Sequence, residues 1–331
     1  MARNANRLID KTFLSLDLAE ERGLIHRDYI AHCFRWSHVI KFLNQGHKYK
    51  EAIMLDVGCG KEMPLAKTMY VNKMTPKSYV GVDMNDFKIP KMLDDKKIPI
   101  SIWTETDFCE LGREDVGVLV GENIDVGELT RKQRENYLSP EKKLYQLPNI
   151  VTCFEVLEHV TPEHCRRMIK HFGEVTAPDC HYFVSTPCFN GEAAENHINE
   201  MTFPALGSLI EELGYRIQGV YGTFASIADY KDQLSSVTTY DMSTGKVLAI
   251  TDIAPVFAAL RNYYDTNALS VIFAPLFPAY SRNCLWHFVR DASLDPGQGR
   301  MFSRLEQVSE PGSQHPDWRA LGVVTTNEVD Q

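Results

Sequence analysis

The sequence predicts an α/β fold in which helices cover both faces of a mostly parallel, seven-stranded sheet. Short, continuous apolar runs alternate with stretches of helical periodicity across residues 51–290. Such runs are typical of strands buried on both faces, and helices are the usual connections between parallel strands. No internal repeat interrupts the alternation. We therefore expect one layered domain with inserted segments.

The elements follow from periodicity and from the residues that start and stop them. Apolar side chains recur at helical spacing over residues 28–45, which predicts a first helix. Strands are predicted at 52–57, 79–83, 98–103, 149–154, 181–185, 215–224 and 283–290. Further helices are predicted at 64–70, 162–175 and 203–213. Proline lies at the start of the first two of these, and Gly214 ends the third.

The chain divides into a core and its additions. Residues 1–50 are predicted to form an N-terminal helical cap, and residues 51–290 form the α/β domain. Segments of about 110–147 and 225–280 break the strand–helix rhythm and are interpreted as insertions, the second of them partly helical. Residues 291–331 are rich in Pro, Gly, Ser and charge, which predicts a loosely ordered tail.

Charge limits the classes of partner. The chain has 35 Lys and Arg against 44 Asp and Glu, a net charge of −9. This argues against a protein that coats nucleic acid or an anionic membrane over its whole surface. Residues 1–50 nevertheless hold nine basic and five acidic residues, a net +4, so a local site for nucleic acid stays open.

Targeting signals and cysteines predict a cytoplasmic protein. No run of about 18 apolar residues is present, so we expect no membrane span and no membrane partner. The N-terminus is charged throughout and lacks the apolar stretch of a secretory signal. The eight cysteines form no CxxC pair and lie mostly in apolar segments, which indicates reduced, buried thiols. The oligomeric state is left open.

Four acidic motifs follow successive strands. The first strand runs into LDVGCGKE, where Gly58 and Gly60 allow a sharp turn and a close approach of ligand to the backbone. A dinucleotide fingerprint would need glycine where Met63 stands. Asp83 ends the next strand, 23 residues beyond Gly60, where an acid accepts hydrogen bonds from ribose hydroxyls. Asp107 follows the third strand, and FEVLEHV follows the fourth.

Together these motifs resemble those of class I S-adenosylmethionine-dependent methyltransferases, which have a Rossmann-like fold. The resemblance covers about residues 50–225 and 281–290, and it is closest to the small-molecule branch with EVLEHV and STP segments. The family often has a third glycine where Glu62 stands, which predicts a different backbone path there. S-adenosylmethionine is the cofactor that the resemblance implies, and no metal is part of this interpretation.

The resemblance also implies residue roles. Asp56 with the turn Gly58, Cys59 and Gly60 would hold the methionine moiety. Asp83, followed by Met84, would bind the ribose. Asp107 and Phe108 would frame the adenine, and Glu155 and Val156 would lie beside the sulfonium. Glu158, His159 and His197 are the candidate catalytic residues, because imidazole titrates near neutral pH and can take a proton from the acceptor.

Several interpretations of the acceptor stay open. The preferred reaction is SN2 methyl transfer to an oxygen or nitrogen of a small molecule or a nucleotide-like acceptor. One alternative is an RNA 2′-O or DNA methyltransferase, in which Glu155, Glu158, His159 and His197 could bind a divalent cation, as in the small-RNA 3′-terminal 2′-O-methyltransferases that this segment resembles. Another is a non-catalytic partner subunit that binds the cofactor. Arg35 and Trp36 on the first helix could stack on a base, but they are more often core residues.

Overall fold

The computed structural model describes residues 27–94, 98–119, 145–189, 193–224, 236–240, 247–252, 259, 274 and 281–291. The insertions at 110–147 and 225–280 fall only partly on these residues, and almost all of the predicted tail lies outside them. Most of the predicted N-terminal cap, residues 1–26, also lies outside the described part.

All of the predicted helices and strands have a counterpart close to the predicted position, and among the residues that it describes the structure adds one α-helix and four strands. The helices are α1 (Arg27–Asn44), α2 (Pro64–Val71), α3 (Arg113–Val116), α4 (Pro162–Val175) and α5 (Phe203–Glu212). The strands are β1 (Ile53–Val57), β2 (Ser78–Val82), β3 (Ile100–Trp103), β4 (Val118–Leu119), β5 (Tyr145–Gln146), β6 (Ile150–Phe154), β7 (His181–Pro187), β8 (Tyr215–Phe224), β9 (Ser236–Tyr240), β10 (Val247–Asp252) and β11 (Asn283–Arg290). Short 3₁₀ helices cover Gln45–Glu51, Phe108–Glu110 and Leu157–His159.

A seven-stranded sheet has the order β3-β2-β1-β6-β7-β11-β8. The pairs β1–β2, β1–β6 and β2–β3 are parallel, whereas β8 and β11 pair antiparallel. The predicted mostly parallel α/β fold is therefore confirmed. Two small antiparallel sheets, β4–β5 and β9–β10, lie in the segments interpreted as insertions, and neither was predicted.

The described residues form two compact units. The first contains β1, β2, β3 and β6 with helices α2 and α4. Because these four strands are parallel and in register, their carboxyl ends lie at one edge, where the loops after them meet. Buried residues of α4 recur at helical spacing, as at Cys165, Met168 and Phe172, and form one face of the core.

The second unit contains β8, β11, α5 and the segment Leu157–Thr161. Its core includes Trp286 of β11 against Phe203 at the start of α5, with ring centroids 5.0 Å apart. The antiparallel pair of β8 and β11 adds Tyr215 against Phe288 at 5.1 Å. Among the described residues, no helix is both long and apolar enough to cross a membrane.

Candidate active site

The turn after β1 is built on two glycines with positive φ. Gly58 has φ 72° and Gly60 has φ 65°, a region that residues with a Cβ rarely adopt. The amides of Gly58 and Cys59 both donate to the carbonyl of Val82, at 2.8 and 3.2 Å. These bonds hold the turn against the end of β2. A Cβ on Gly60 would meet no atom within 4 Å, so the turn faces open space there.

The segment after β6 closes against the same turn. A Cβ on Gly58 would lie 2.2 Å from Cγ2 of Val156, so only glycine fits beneath that side chain. Glu155 has φ 57°, a left-handed conformation that costs free energy in a residue with a Cβ. Strained backbone of this kind clusters at binding sites. The predicted cofactor residues Gly58, Glu155 and Val156 therefore lie together at one sheet edge.

Asp83 links the turn to the end of β2. Its Oδ2 accepts a hydrogen bond from the Gly60 amide at 2.9 Å, and its Oδ1 accepts two from Asn85, at 2.9 Å from the amide and 2.8 Å from Nδ2. A carboxylate has about four lone-pair sites, so these bonds leave one site on Oδ2. The carboxylate thus fixes Gly60 and keeps capacity for a hydroxyl donor.

Asp56 lies deeper than the turn that it precedes. Its carboxylate is buried and accepts hydrogen bonds from Thr152 Oγ1 at 2.6 Å and from the Tyr79 hydroxyl. Burial raises the pKa of this carboxyl to about 6, although the two hydroxyl donors oppose the rise. Both oxygens of Asp56 are therefore engaged within the protein.

The other predicted cofactor residues differ in accessibility. Cys59 is buried, and burial together with the charges of Asp56 and Asp83 raises the pKa of its thiol. Met84 is 68% exposed, whereas Phe108 is buried and its ring contacts the rings of His171 and Phe172. Of Cys59, Met84 and Phe108, therefore, only Met84 presents an exposed apolar side chain to a ligand.

Asp107 caps the N-terminus of the short 3₁₀ helix after β3. Its Oδ1 accepts a hydrogen bond from the Cys109 amide at 2.9 Å and lies 3.3 Å from Nε2 of His164. Asp107 and His164 side chains are each about one-quarter exposed. Burial, and secondarily the charge of Asp107, raises the pKa of the Cys109 thiol to about 12.

The three predicted catalytic residues lie together in the second unit. Glu158, His159 and His197 each offer one ligand atom, and these atoms all lie within 4.8 Å of one another. The Glu158 carboxylate is buried and accepts a hydrogen bond from Thr186 Oγ1 at 3.2 Å. The two imidazole rings meet edge to face, with centroids 4.9 Å apart. Glu155, the fourth residue that the sequence suggested for a cation, belongs to the first unit and is not part of this cluster.

Hydrogen bonds orient both imidazoles in the same way. Nδ1 of His159 lies 3.1 Å from the carbonyl oxygen of Asn196, and Nδ1 of His197 bonds to Oε1 of Glu200. A carbonyl or carboxylate oxygen accepts, so each Nδ1 is the protonated nitrogen. The Nε2 atoms then carry lone pairs when the rings are neutral, and that of His159 lies 3.9 Å from Oε1 of Glu158. This arrangement presents a carboxylate oxygen and two imidazole nitrogens to a cation or to a proton.

The sequence reasoning missed the residues that orient this cluster. Glu200 stands three residues after His197, and that spacing is the signal that could have indicated their contact. Thr186 lies in the STP segment (residues 185–187), and its sequence context predicts no role for it. Amides of Ile198 and Asn199 also donate to the Glu158 carbonyl, at 2.9 and 3.1 Å, so the loop with His197 is fixed to the Glu158 segment.

The structure also decides between the two interpretations of the first helix. Arg35 is 1% exposed and Trp36 is 4% exposed. Nη1 of Arg35 donates to Oδ1 of Asn283 at 2.9 Å, within the second unit. Neither side chain is therefore available at the surface for stacking on a base, and the interpretation as core residues is confirmed.

Comparison with known proteins identifies a family. Residues 29–218, more than half of the chain, match the family model described as "Methyltransferase domain". No curated protein matches the sequence.

Solved structures of methyltransferases resemble the fold at low identity. The small RNA methyltransferase HEN1 has a TM-score of 0.40 and 13% identity. The match covers 79% of this chain but only 26% of the HEN1 chain. A SAM-dependent methyltransferase from Archaeoglobus fulgidus has a TM-score of 0.39 and 13% identity, and the match covers 77% of this chain and 94% of that protein. Magnesium protoporphyrin IX methyltransferase from Synechocystis PCC 6803, with bound SAH, has a TM-score of 0.41 and 12% identity. The match covers 86% of this chain and 100% of that protein. On the family match, the chain belongs to the methyltransferase-domain family.

Proposed function

We propose that this methyltransferase transfers a methyl group by SN2 displacement to a hydroxyl oxygen of a nucleotide-like acceptor, with a divalent cation held by Glu158, His159 and His197. The observation that carries the proposal is the shared orientation of the two imidazoles. Each ring donates its Nδ1–H to a protein oxygen, which leaves Nε2 to bind a ligand. Histidines that bind metals almost always donate their other N–H in this way.

The donor set suits such a cation. Two imidazole nitrogens and one carboxylate oxygen suit divalent transition-metal ions such as Mn²⁺, Co²⁺ or Zn²⁺ better than they suit Mg²⁺, which prefers oxygen ligands. The Glu158 carboxylate is 1% exposed, and a buried charge is costly unless a partner of opposite charge or hydrogen bonds compensate it. A bound divalent cation polarises a coordinated hydroxyl and lowers the pKa of that hydroxyl.

The cofactor-binding roles rest on the first unit. We assign the ribose to Asp83, which has one lone-pair site left on Oδ2, and the methionine moiety to the turn of Gly58, Cys59 and Gly60. Asp56 supports this turn from within the sheet through Thr152 and Tyr79. Met84 offers the exposed apolar surface beside the ribose, and Glu155 and Val156 border the sulfonium. Asp107 and Phe108 are assigned to the adenine side.

The chemistry then needs little else from the protein. When bound, S-adenosylmethionine would supply an activated methyl group, and its carbon–sulfur bond would break as the carbon–oxygen bond forms, with S-adenosylhomocysteine as the leaving group. The residues of the chain position the two reactants and supply an acceptor for the hydroxyl proton.

A second candidate needs no cation. His159 is the exposed member of the cluster, with 41% of its side chain accessible, and its Nε2 could take the acceptor proton directly. The hydrogen bond from Nδ1 to Asn196 fixes the tautomer that this role requires as well. The same three residues thus support a metal-assisted reaction and a general-base reaction, and removal of metal separates them.

A methyl-transfer assay with labelled S-adenosylmethionine tests the proposal. The acceptors are short RNAs with a free 3′-terminal ribose diol, the same RNAs with a 2′-deoxy terminus, and a hydroxyl-bearing metabolite fraction. We expect transfer that depends on the terminal 2′-hydroxyl and on added Mn²⁺, and that falls by at least about 100-fold in His197→Ala, as expected when a ligand of the cation is lost. Asp86→Ala, a change at an exposed residue outside the cluster, is the control.

Three results would count against this account. Full activity after chelation favours the general-base candidate instead. Methyl transfer only to the metabolite fraction would favour a small-molecule acceptor over RNA. Tight binding of S-adenosylhomocysteine without transfer to any pool identifies a non-catalytic partner subunit.

A further inference from the structure

A second group of metal-ligating side chains lies in the first unit, apart from the residues assigned to catalysis. Asp107, Cys109 and His164 each offer one ligand atom, and the three atoms lie within 4.8 Å of one another. Asp107 caps the short 3₁₀ helix after β3, Cys109 lies within that helix, and His164 comes from the first turn of α4. A thiol, an imidazole and a carboxylate, which are three chemically different donors, thus converge on one point.

We propose that Asp107, Cys109 and His164 form a site for a thiophilic divalent cation of the zinc class, and that its occupation excludes the cofactor. A mixed thiolate, imidazole and carboxylate set is typical of zinc and is avoided by Mg²⁺ and Ca²⁺, which prefer oxygen ligands. With Cys109 deprotonated, one thiolate and one carboxylate neutralise the cation. The proton of the thiol is released to solvent on binding.

The distances fit this coordination. Zinc bonds to nitrogen and oxygen are about 2.0–2.1 Å long, so two such ligands in a tetrahedral site stand about 3.3 Å apart. Oδ1 of Asp107 and Nε2 of His164 are 3.3 Å apart. The Cys109 amide donates to Oδ1 of Asp107 at 2.9 Å, which holds the carboxylate over the same turn that carries the thiol.

The site is also accessible. Asp107 and His164 are about one-quarter exposed and Cys109 is 9% exposed, so a cation can reach the ligands without unfolding of the core. Arg167 donates to the carbonyl of Cys109 at 3.3 Å and anchors the turn to α4. With three protein ligands the fourth tetrahedral position stays open, as in zinc sites that exchange their ligands.

The exclusion of cofactor follows from Asp107. This part rests on the proposed function, which assigns Asp107 to the adenine side of the cofactor, where its carboxylate would accept a hydrogen bond from the adenine amino group. A carboxylate that binds a cation through Oδ1 has its charge neutralised, which makes it a much weaker acceptor for that contact. We therefore expect zinc-class ions to inhibit the enzyme by competing with the cofactor, and not by replacing the cation held at Glu158.

Cadmium absorption tests the site. The 331-residue chain, purified without metal, is titrated with Cd²⁺, and the thiolate-to-metal charge-transfer band in the ultraviolet is recorded. The cluster of Glu158, His159 and His197 has no sulfur, so it gives no such band. We expect a one-to-one rise that Cys109→Ser abolishes and Cys33→Ser leaves unchanged.

A second variant distinguishes the loss of a metal ligand from misfolding of the protein. His164→Gln, a change on a partly exposed helical position, should weaken Cd²⁺ binding by at least about tenfold, because even loss of an outer partner of a ligand costs about 10- to 100-fold. Absence of the band in the wild type, or its survival in Cys109→Ser, would overturn the cation site.

Calorimetry tests the exclusion separately. S-Adenosylhomocysteine is titrated first into the metal-free protein, and failure to bind there contradicts the proposed cofactor site while the cadmium band still decides the cation site. With one equivalent of Cd²⁺ bound, we expect at least tenfold weaker binding in the wild type and no change in Cys109→Ser. Equal affinity with and without Cd²⁺ in the wild type would refute the exclusion.

Discussion

A Cβ on Gly58 would lie 2.2 Å from Cγ2 of Val156, which joins the turn after β1 to the segment after β6. Both segments follow parallel, adjacent strands, so their proximity is a consequence of the sheet register in which Val57 pairs with Cys153. The contact leaves no room for another residue at position 58. It gives the glycine of this motif a steric role in addition to its positive φ.

Replacement of Gly58 by alanine should therefore be more harmful than its backbone conformation alone predicts. Gly46 has a similar φ of 63° and open space around it, so Gly46→Ala measures only the conformational cost, about 1 kcal/mol. For Gly58→Ala we expect an additional loss of about 1–3 kcal/mol from overpacking. Urea denaturation of both variants provides the comparison.

A double-mutant cycle identifies Val156 as the cause. Val156→Ala removes the two methyl carbons nearest to position 58, so it should recover most of the additional loss in Gly58→Ala. If Gly58→Ala and Gly46→Ala cost the same, or if Val156→Ala restores nothing, the close approach does not exist in solution.

Asp56 should make the stability of the fold dependent on pH. Burial raises the pKa of its carboxyl to about 6 from an ordinary value near 3.8, so between these values the folded protein binds more protons than the unfolded chain. The contribution of Asp56 is therefore most favourable below about pH 4 and declines as the pH rises to about 6. A shift of about two units corresponds to roughly 3 kcal/mol.

Asp56→Asn removes this titration while keeping the shape of the side chain. The free energy of unfolding, measured between pH 4 and pH 7, should fall with rising pH by about 2–3 kcal/mol less in Asp56→Asn than in the wild type. Asp86→Asn, at an exposed aspartate, should follow the wild type. Parallel pH profiles for wild type and Asp56→Asn would show that the buried carboxyl does not titrate in this range.

Much of the fold was predictable because local signals and burial agree. The bounds of α4, β8 and β11 coincide with the predicted segments, since Pro162 starts a helix and continuous apolar runs fill a covered sheet. The strands β9 and β10 were not predicted, because the sequence from 236 to 252 mixes polar and apolar residues without a strong period of two. Local pattern alone carries little information on such a two-stranded sheet.

The placement of the candidate site residues was predictable where one residue type at the end of one strand is enough to locate them. Gly58, Gly60 and Asp83 were found in this way, and they lie together at one edge in the structure. Their partners were not found, because the register of the sheet decides them. Thr152 reaches Asp56 since the two residues pair across β1 and β6, a relation that no spacing in the sequence encodes.

Glu200 should act as a positioning residue for His197. Its Oε1 accepts the Nδ1–H of that ring and also a bond from the Ala194 amide at 3.2 Å, so it fixes both the tautomer and the loop. In Glu200→Gln we expect about 10- to 100-fold weaker Mn²⁺ binding with little change in the melting temperature. Calorimetric titration of Mn²⁺ measures the affinity directly.

The exposed Glu195 in the same loop supplies the control, because Glu195→Gln changes the same charge nearby. We expect Mn²⁺ affinity within a factor of about two of the wild type in that variant, as is usual for surface charges. Equal Mn²⁺ binding in Glu200→Gln and the wild type would remove Glu200 from the proposed role, whereas equal weakening in both variants would reduce it to a general effect of charge.

Binding of S-adenosylhomocysteine, measured by calorimetry, tests the central claim most directly. The account predicts one-to-one binding in the wild type and in Asp86→Ala. In Asp83→Ala it predicts at least about tenfold weaker binding, because the charged acceptor of the ribose and the partner of the Gly60 amide are both lost. No binding in the wild type, or equal affinity in Asp83→Ala, would contradict it.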